Sequence, residues 1–468
     1  MKTYDVIVIG SGPGGERGAA TASYFGKRVA VVEKNTAVGG ASTNTGTLPS
    51  KTLRETAVAL SGLRARQLYG VDLSLRREAT VRDFMYHEET VKNSERRRVR
   101  ENFRFFGTDL YQGLATFVDP QTVKVSGGES GEELLKAEII LIATGSSPVH
   151  PPGFAFEDKR VHDSDEILSL ERLPKSLAVV GAGIIGSEYA CTFAALGVEV
   201  RILDGRDALL PFLDREIAEA LERAMEQLGI AFHWKEKVTS CSIDDPDKVE
   251  LTCASGTKFR LDGVLVAAGR RSNTDELNLP AAGVKCGERG LLTVDAQYRT
   301  NVPHIYAVGD VIGFPALAST SAEQGRVAMC HACGQEAYAV AAPILPTGIY
   351  TIPEVSMVGE TEEALKSKGI EYVVGRATAF RNARGMIIGD RDGRLKLLFR
   401  RGDMKLLGAH VIGEHATEVV HIALIVMVAG QGADLLYETC FNYPTLGDLY
   451  KQATYSAMAA ARSAAARP

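Results

Sequence analysis

Two glycine-rich loops carry residue types that can hold a dinucleotide: Gly10-Ser11-Gly12-Pro13-Gly14-Gly15 and Gly181-Ala182-Gly183-Ile184-Ile185-Gly186. In such a loop the first glycine permits a tight turn. The second lets the backbone approach a pyrophosphate, and the third lets the helix pack closely on the strand. The helix N-terminus then offers free N–H groups to the anion. A carboxylate about 20 residues further on can hold a ribose 2′-hydroxyl. Glu33 follows Gly15, and Asp204 follows Gly186, at the same distance and close to that offset. Two such sites in one chain suggest a tightly held FAD and a diffusible nicotinamide nucleotide, with a hydride passing from one ring to the other.

The flanking sequence supplies the elements that must position these loops. Tyr4-Asp5-Val6-Ile7-Val8-Ile9 reads as a strand buried on both faces, the Ala-rich stretch to Gly26 as helix, and Arg28–Glu33 as a second strand. Leu177–Val180, a helical stretch to Leu196 and Val198–Asp204 repeat the pattern. A β-α-β unit with glycines at its first turn therefore occurs twice, as a duplication of domains. Three more strands run into glycine: Ile139–Gly145, Val264–Gly269 and Ile305–Asp310. Pro148-Val149-His150-Pro151-Pro152-Gly153 reads as a linker, and Pro343–Thr347 as the opening of a third domain. The expected fold class is α/β, with two Rossmann-like dinucleotide-binding domains and a C-terminal α+β domain. The first dinucleotide domain takes residues 1–150 and 273–345, the second 151–272, and the C-terminal domain 346–468.

Composition narrows the function. Among 468 residues, 53 are Lys or Arg and 58 Asp or Glu, a net charge of −5 that argues against a nucleic-acid-binding surface. The longest apolar run, Ile422–Ala429, is far short of the ~18 residues of a membrane span. The N-terminus enters a strand pattern directly, without a signal-peptide layout. Seven scattered cysteines fit a reducing compartment, hence the cytoplasm. The basic run over residues 92–104 reads as one solvated face of a helix. Cys330-His331-Ala332-Cys333 lacks a second pair at zinc spacing and reads as structural. His410, His415 and His421 lack the H-E-x-x-H arrangement, so no metal site is expected.

With these motifs in place, the whole chain resembles the flavoprotein pyridine nucleotide–disulfide oxidoreductases. The resemblance implies that the first loop binds FAD, together with Glu33, Lys34, Gly39, Gly40, Ser42, Lys51, Ala115, Thr144, Gly145, Asp310 and Ala318. The second loop, with Asp204 and Arg206, would bind NAD or NADP, and Gly269 completes the cofactor set. Lys51 would stand beside the flavin, paired with Glu188. The C-terminal domain would form a homodimer, and a cis Tyr443–Pro444 bond would place Tyr443 near the partner chain's flavin.

Two departures from that family are informative. Its redox motif has two cysteines where Gly39-Gly40-Ala41-Ser42-Thr43-Asn44-Thr45-Gly46-Thr47 has Ser42 and Thr47. A hydroxyl forms no disulfide and makes no thiolate for electrons to reach. The family's C-terminal histidine is replaced in Phe441-Asn442-Tyr443-Pro444-Thr445 by Tyr443, and tyrosine, with a reference pKa near 10, is a poor base at neutral pH. One branch fits both changes and the stretch Pro346–Val355: the soluble, Si-specific pyridine nucleotide transhydrogenases. That resemblance implies a ping-pong transfer of hydride between NADPH and NAD+ through the flavin. A diaphorase or quinone reductase on the same frame is an alternative, as is a dihydrolipoamide-dehydrogenase-like flavoprotein without disulfide activity. Asp204 favours the free 2′-hydroxyl of NAD, so Arg206, or less directly Arg201, would have to meet the 2′-phosphate of NADP.

Overall fold

The structure, a computed structural model, describes residues 1–61, 81–128, 131–170 and 172–465. In the first domain Lys2–Ile9 and Val29–Glu33 run parallel, joined by α1 (Pro13–Tyr24). Val6, Ile7 and Val8 are fully buried, which is why this strand shows no polar alternation. Helices α2 (Gly40–Asn44), α3 (Thr47–Ser61) and α4 (Val81–Phe105) precede the rest of the sheet. Its spatial order is Asp109–Gln112, Val29–Glu33, Lys2–Ile9, Gly131–Ile142, Thr122–Gly128, Leu114–Asp119. The chain leaves for the second domain and returns with Ile305–Ala307, a parallel strand beside Gly131–Ile142. The later helix α7 (Ala318–Ala332) packs against α1.

The second sheet is all parallel, in the order Ala231–Trp234, Glu199–Asp204, Ser176–Val180, Gly263–Val266, Val161–His162. Helices α5 (Ile184–Ala195) and α6 (Arg215–Gln227) belong to it. The third domain is an antiparallel sheet, Thr347–Ile349, Glu354–Gly359, Leu406–Gly413, Arg394–Arg400, Tyr372–Thr378, with α8 (Ala416–Val428) and α9 (Asp448–Ala465). The expected α/β class with two Rossmann-like units and a C-terminal α+β unit is the observed architecture. Helix α9 continues to Ala465, and Ala457 is fully buried in the third core. Residues 466–468 lie outside the described residues.

The second and third domains share one hydrophobic core, since Ile349, Val355 and Ile412 pack with Leu177, Val179 and Ile202. Beside it sits a buried charge cluster. Lys396 Nζ is 2.7 Å from Asp214, 3.2 Å from Glu216 and 2.5 Å from Glu362. Asp214 also caps α6 by accepting from the Glu216 N–H. The three carboxylates converge as metal ligands do, but the lysine ammonium occupies the space between them. Burial pushes the Asp214 carboxyl upward, but the hydrogen bond from Lys396, the neighbouring His410 and Lys396 charges and the Glu362 N–H together hold the group below its ordinary value.

Removing one partner of such a buried group strands the rest. Lys396→Met is expected to cost about 3–5 kcal/mol in urea denaturation. A depressed carboxylate stabilises the fold above its ordinary value of 3.8 and loses that contribution as pH falls below it. Acid unfolding of the native chain in that range should therefore lose part of its pH dependence in Lys396→Met, as followed by circular dichroism.

Candidate active site

The two glycine loops are built alike to within a few tenths of an ångström. Gly10 has φ +105° and Gly181 φ +110°, in the region that favours glycine. A Cβ on Gly10 would lie 2.3 Å from the Ala143 carbonyl oxygen, and one on Gly181 2.5 Å from that of Ala267. Each loop thus turns against the end of the neighbouring parallel strand. A Cβ on Gly15 would lie 2.0 Å from the Gly10 oxygen, and one on Gly186 2.0 Å from the Gly181 oxygen. The middle glycines differ: nothing lies within 4 Å of a Cβ on Gly183, and only the Gly40 Cα at 3.8 Å of one on Gly12. Gly12 and Gly183 are the N-caps of α1 and α5, and neither caps its helix with a side chain. Open space therefore stands over two helix N-termini whose N–H groups can receive an anion.

The acidic residues also act in parallel. Glu33 accepts from the Ser11 N–H at 3.1 Å and the Ser11 hydroxyl at 2.5 Å. Asp204 accepts from the Ala182 N–H at 2.6 Å. Each carboxylate so ties its strand end to the second residue of its loop. Asp204 has a further partner, because the Arg206 guanidinium meets it through Nε at 2.9 Å and Nη2 at 2.6 Å. Burial pushes the Asp204 carboxyl up, and the Arg206 hydrogen bonds and two backbone N–H groups hold it below the usual range. Arg201 instead pairs with Glu199, and Lys34 with Glu276.

Both loops open on one cleft of about 1020 Å³. Gly10, Gly12, Gly14, Glu33 and Lys34 line it, as do Gly40, Ser42, Ala115, Thr144, Gly145, Asp310 and Ala318 from the first domain. Gly183 and Gly269 face it from the second. The buried Thr144 hydroxyl has no hydrogen-bond partner in the protein, which suits a polar ligand group. Asp310 accepts from Ser146 at 2.8 Å, and Ser146 in turn from Arg270 at 2.9 Å. No cysteine lies among the described residues lining this cleft; Ser42 and Thr47 stand there.

Where the loops face each other, α3 presents Lys51 and α5 presents Glu188. Their Nζ–Oε2 distance is 2.6 Å, with the carboxylate only 8% exposed. The second Glu188 oxygen accepts from the Tyr350 N–H at 2.8 Å, and Lys51 Nζ lies 5.0 Å from the centre of the Tyr350 ring. All three domains thus meet at this ion pair.

Some expected residues act away from the cleft. Gly15, Gly39, Gly181 and Gly186 shape the loops without lining it, and Gly39 does so by donating its N–H to Ser11 at 2.9 Å. Asp204 and Arg206 stand at the outer end of the second loop. Tyr443 is 77% exposed, and its bond to Pro444 is cis. Cys330 and Cys333 are free thiols. His410 is buried and bonds the Glu360 carbonyl, at 2.9 Å.

The basic run is an exposed helix face, with Arg97, Arg98, Arg100 and Arg104 all exposed, and three of its side chains also reach the first domain. Arg98 pairs with Glu16 and Arg100 donates to the Thr36 carbonyl. Arg96 bonds Asn44 and lines the cleft. Spacing alone does not show these cross-contacts, because helical i, i+3 pairing such as Arg98 with Glu95 explains the same pattern. Tyr350 and Arg54 were also missed as site residues; the Pro346–Val355 stretch carried the signal for the first, and nothing in the sequence for the second.

This geometry defines an α/β frame for two dinucleotides that meet across one ion pair. Residues 4–325 match the model of the pyridine nucleotide-disulphide oxidoreductases, and residues 345–454 that of their dimerisation domain. The chain belongs to the pyridine nucleotide-disulphide oxidoreductase family. It is 44% identical to the soluble pyridine nucleotide transhydrogenase of Mycobacterium bovis (strain BCG / Pasteur), over 98% of both chains. It is 40% identical to the protein of the same name from Hahella chejuensis, over 97% of this chain and 98% of that one. Among solved structures it is similar to the Cu(II) complex of RclA, an HOCl-induced flavoprotein disulfide reductase from Escherichia coli. That match has a TM-score of 0.87 and 27% identity, covering 97% of this chain and 99% of the other. The fold is shared with LpdA from Mycobacterium tuberculosis, TM-score 0.89.

Because the two loops have separate contacts, each should fail alone. With FAD and NAD+ as probes, Gly15→Ala is expected to lose FAD and keep NAD+ binding, and Gly186→Ala the reverse, in equilibrium dialysis. Loss of both ligands in either variant would show that the loops do not act independently.

Proposed function

We propose that this protein is an FAD-dependent pyridine nucleotide transhydrogenase, moving hydride between NADPH and NAD+. The observation that carries the reading is the cleft itself. Both glycine loops open on it, the full-length relatives at 40–44% identity are named soluble pyridine nucleotide transhydrogenases, and among the described residues its lining includes Ser42 and Thr47 but no cysteine. Reducing equivalents have no sulfur relay to follow. In this reading the first loop, Glu33 and Asp310 hold FAD, and the unpartnered Thr144 hydroxyl and the open space over Gly12 fit that group. Bound FAD supplies a ring that accepts and returns a hydride.

The chain's own residues do the rest. The second loop and the N-terminus of α5 hold the nucleotide pyrophosphate. Lys51 keeps an ammonium at the meeting point of the two sites, where it favours negative charge, and Glu188 keeps the ammonium in place. Ile184, Ile185 and Tyr350 help to wall the meeting point from water. One nucleotide loop serves donor and acceptor in turn, which gives ping-pong kinetics. Arg206 is the group that admits NADPH: clasped to Asp204 it leaves the 2′-hydroxyl end of NAD unopposed, and turned outward it meets a 2′-phosphate. Ile425, Val428, Tyr437 and Tyr455 of the third domain are exposed apolar side chains, a surface suited to a homodimer in which Tyr443 faces the partner's cleft. Among the described residues no helix is long and apolar enough to cross a membrane, and we place the dimer in the cytoplasm.

Anaerobic NADPH is expected to bleach the yellow protein, and NAD+ to restore its colour. Failure of NADPH to bleach it would end the reading and favour an NADH-specific diaphorase. Arg206→Ala should raise KM for NADPH about tenfold, the loss of ~1.4 kcal/mol, and leave KM for NADH within about twofold.

A further inference from the structure

We propose that Arg54 is a positioning residue for the Lys51–Glu188 pair, acting through the segment Tyr350–Glu354. Arg54 lies three residues after Lys51 on α3, so the two share one side of the helix. Its guanidinium is 3% exposed. Arg54 Nε donates to the Thr351 carbonyl at 3.0 Å, and Nη1 lies 3.4 Å from Glu354 and pairs with Glu55. Glu354 is itself buried, and its other oxygen accepts from the N–H of Thr417 at 3.2 Å and from its hydroxyl at 2.8 Å. The guanidinium therefore reaches out of the first domain and pins a strand entry of the third.

What it pins decides where Glu188 sits. The Thr351 carbonyl belongs to the residue directly after Tyr350, whose N–H holds the second oxygen of Glu188. Thr351 is fully buried and closes the turn by bonding the Pro353 carbonyl at 2.7 Å. Fixing that carbonyl fixes the neighbouring N–H, which fixes the carboxylate and hence the Lys51 ammonium 2.6 Å from it. A fully buried guanidinium is costly to keep unless its hydrogen bonds are specific. An apolar side chain would pack α3 against the third domain equally well, but it would leave the carbonyl and Glu354 without this partner. Arg54 thus links the lysine helix to the amide that orients its counter-ion.

The inference rests on the flavin reading above for its consequence and on the protein alone for its geometry. The test uses Arg54→Met, Arg54→Lys and Glu354→Gln, with Glu188→Gln as reference. In Arg54→Met, hydrogen exchange at the Tyr350 amide should rise at least about tenfold, with or without flavin. The midpoint potential of the bound flavin should become more negative, by ~30 mV for a tenfold change in the two-electron equilibrium. The reduction rate per bound flavin should fall about tenfold, Arg54→Lys should recover part of it, and Arg54→Met should add little to Glu188→Gln. If Arg54→Met does not fold, Glu354→Gln should give the same shifts in weaker form. A lower melting temperature with unchanged potential and unchanged rate per flavin would overturn the proposal, leaving Arg54 as a brace. So would losses that simply add to those of Glu188→Gln. Absence of NADPH-to-NAD+ turnover in the native protein would instead sink the transhydrogenase reading and leave the exchange and potential results standing.

Discussion

A buried carboxylate must satisfy both of its oxygens, and Glu188 does so in two different domains. One oxygen takes the ammonium of Lys51 from the first, and the other takes the Tyr350 N–H from the third. Because Glu188 itself stands on the second, this single group registers all three domains at the place where the two dinucleotide loops converge. With Glu188 8% exposed and Lys51 24%, the pair is screened less by solvent than a surface pair. Its geometry therefore governs the local charge far more than a surface ion pair would. The shared core of the second and third domains, and the Lys396 cluster beside it, hold the frame in which this contact can form.

The duplication shows how little chemistry the fold has to invent for each site. Both loops obey the same two steric limits, a carbonyl about 2 Å from where the Cβ of the last glycine would lie and a strand end against the first. What differs is the surroundings. The first loop faces Gly40 and the hydroxyl of Ser11, and its carboxylate is consumed by that loop. The second is open, and its carboxylate carries an arginine.

The parts legible in the sequence are those set by local constraints. Glycines at a turn, a β-branched strand before it and an acid at fixed distance follow from the backbone geometry of one β-α-β unit, so both units could be read directly. Lys51 and Glu188 were legible only through resemblance, since 137 residues separate them. Arg54, 297 residues from the carbonyl it holds, and Lys396, 182 from Asp214, gave no signal because their partners are fixed by domain packing and not by spacing. The arginines of α4 gave a partial one, for the exposed helix face but not for its contacts. Their local acids account for the charge pattern, and only the docking of the helix shows which side chains cross to Glu16, Thr36 and Asn44. At the C-terminus the close approach of α9 to Gly375 is likewise a matter of packing: a Cβ on Gly375 would lie 2.1 Å from the Ala453 oxygen and 3.1 Å from the Ala457 Cβ.

A transhydrogenase faces a selectivity problem opposite to that of most dehydrogenases, since it must not choose. NAD and NADP differ by a 2′-phosphate remote from the reacting ring, so the two reduced forms carry nearly equal driving force and the protein needs only comparable binding. A bare carboxylate at the strand end would repel the phosphate, and a bare arginine would favour it. Asp204 and Arg206 in contact form a nearly neutral unit whose two halves can be offered separately. In the proposed reading, turning Arg206 outward exchanges its contact with the 8% exposed Asp204 carboxylate for one with the 2′-phosphate. In that reading one site takes either nucleotide by an exchange of partners at Arg206, which is what a reaction between two nearly equivalent nucleotides requires.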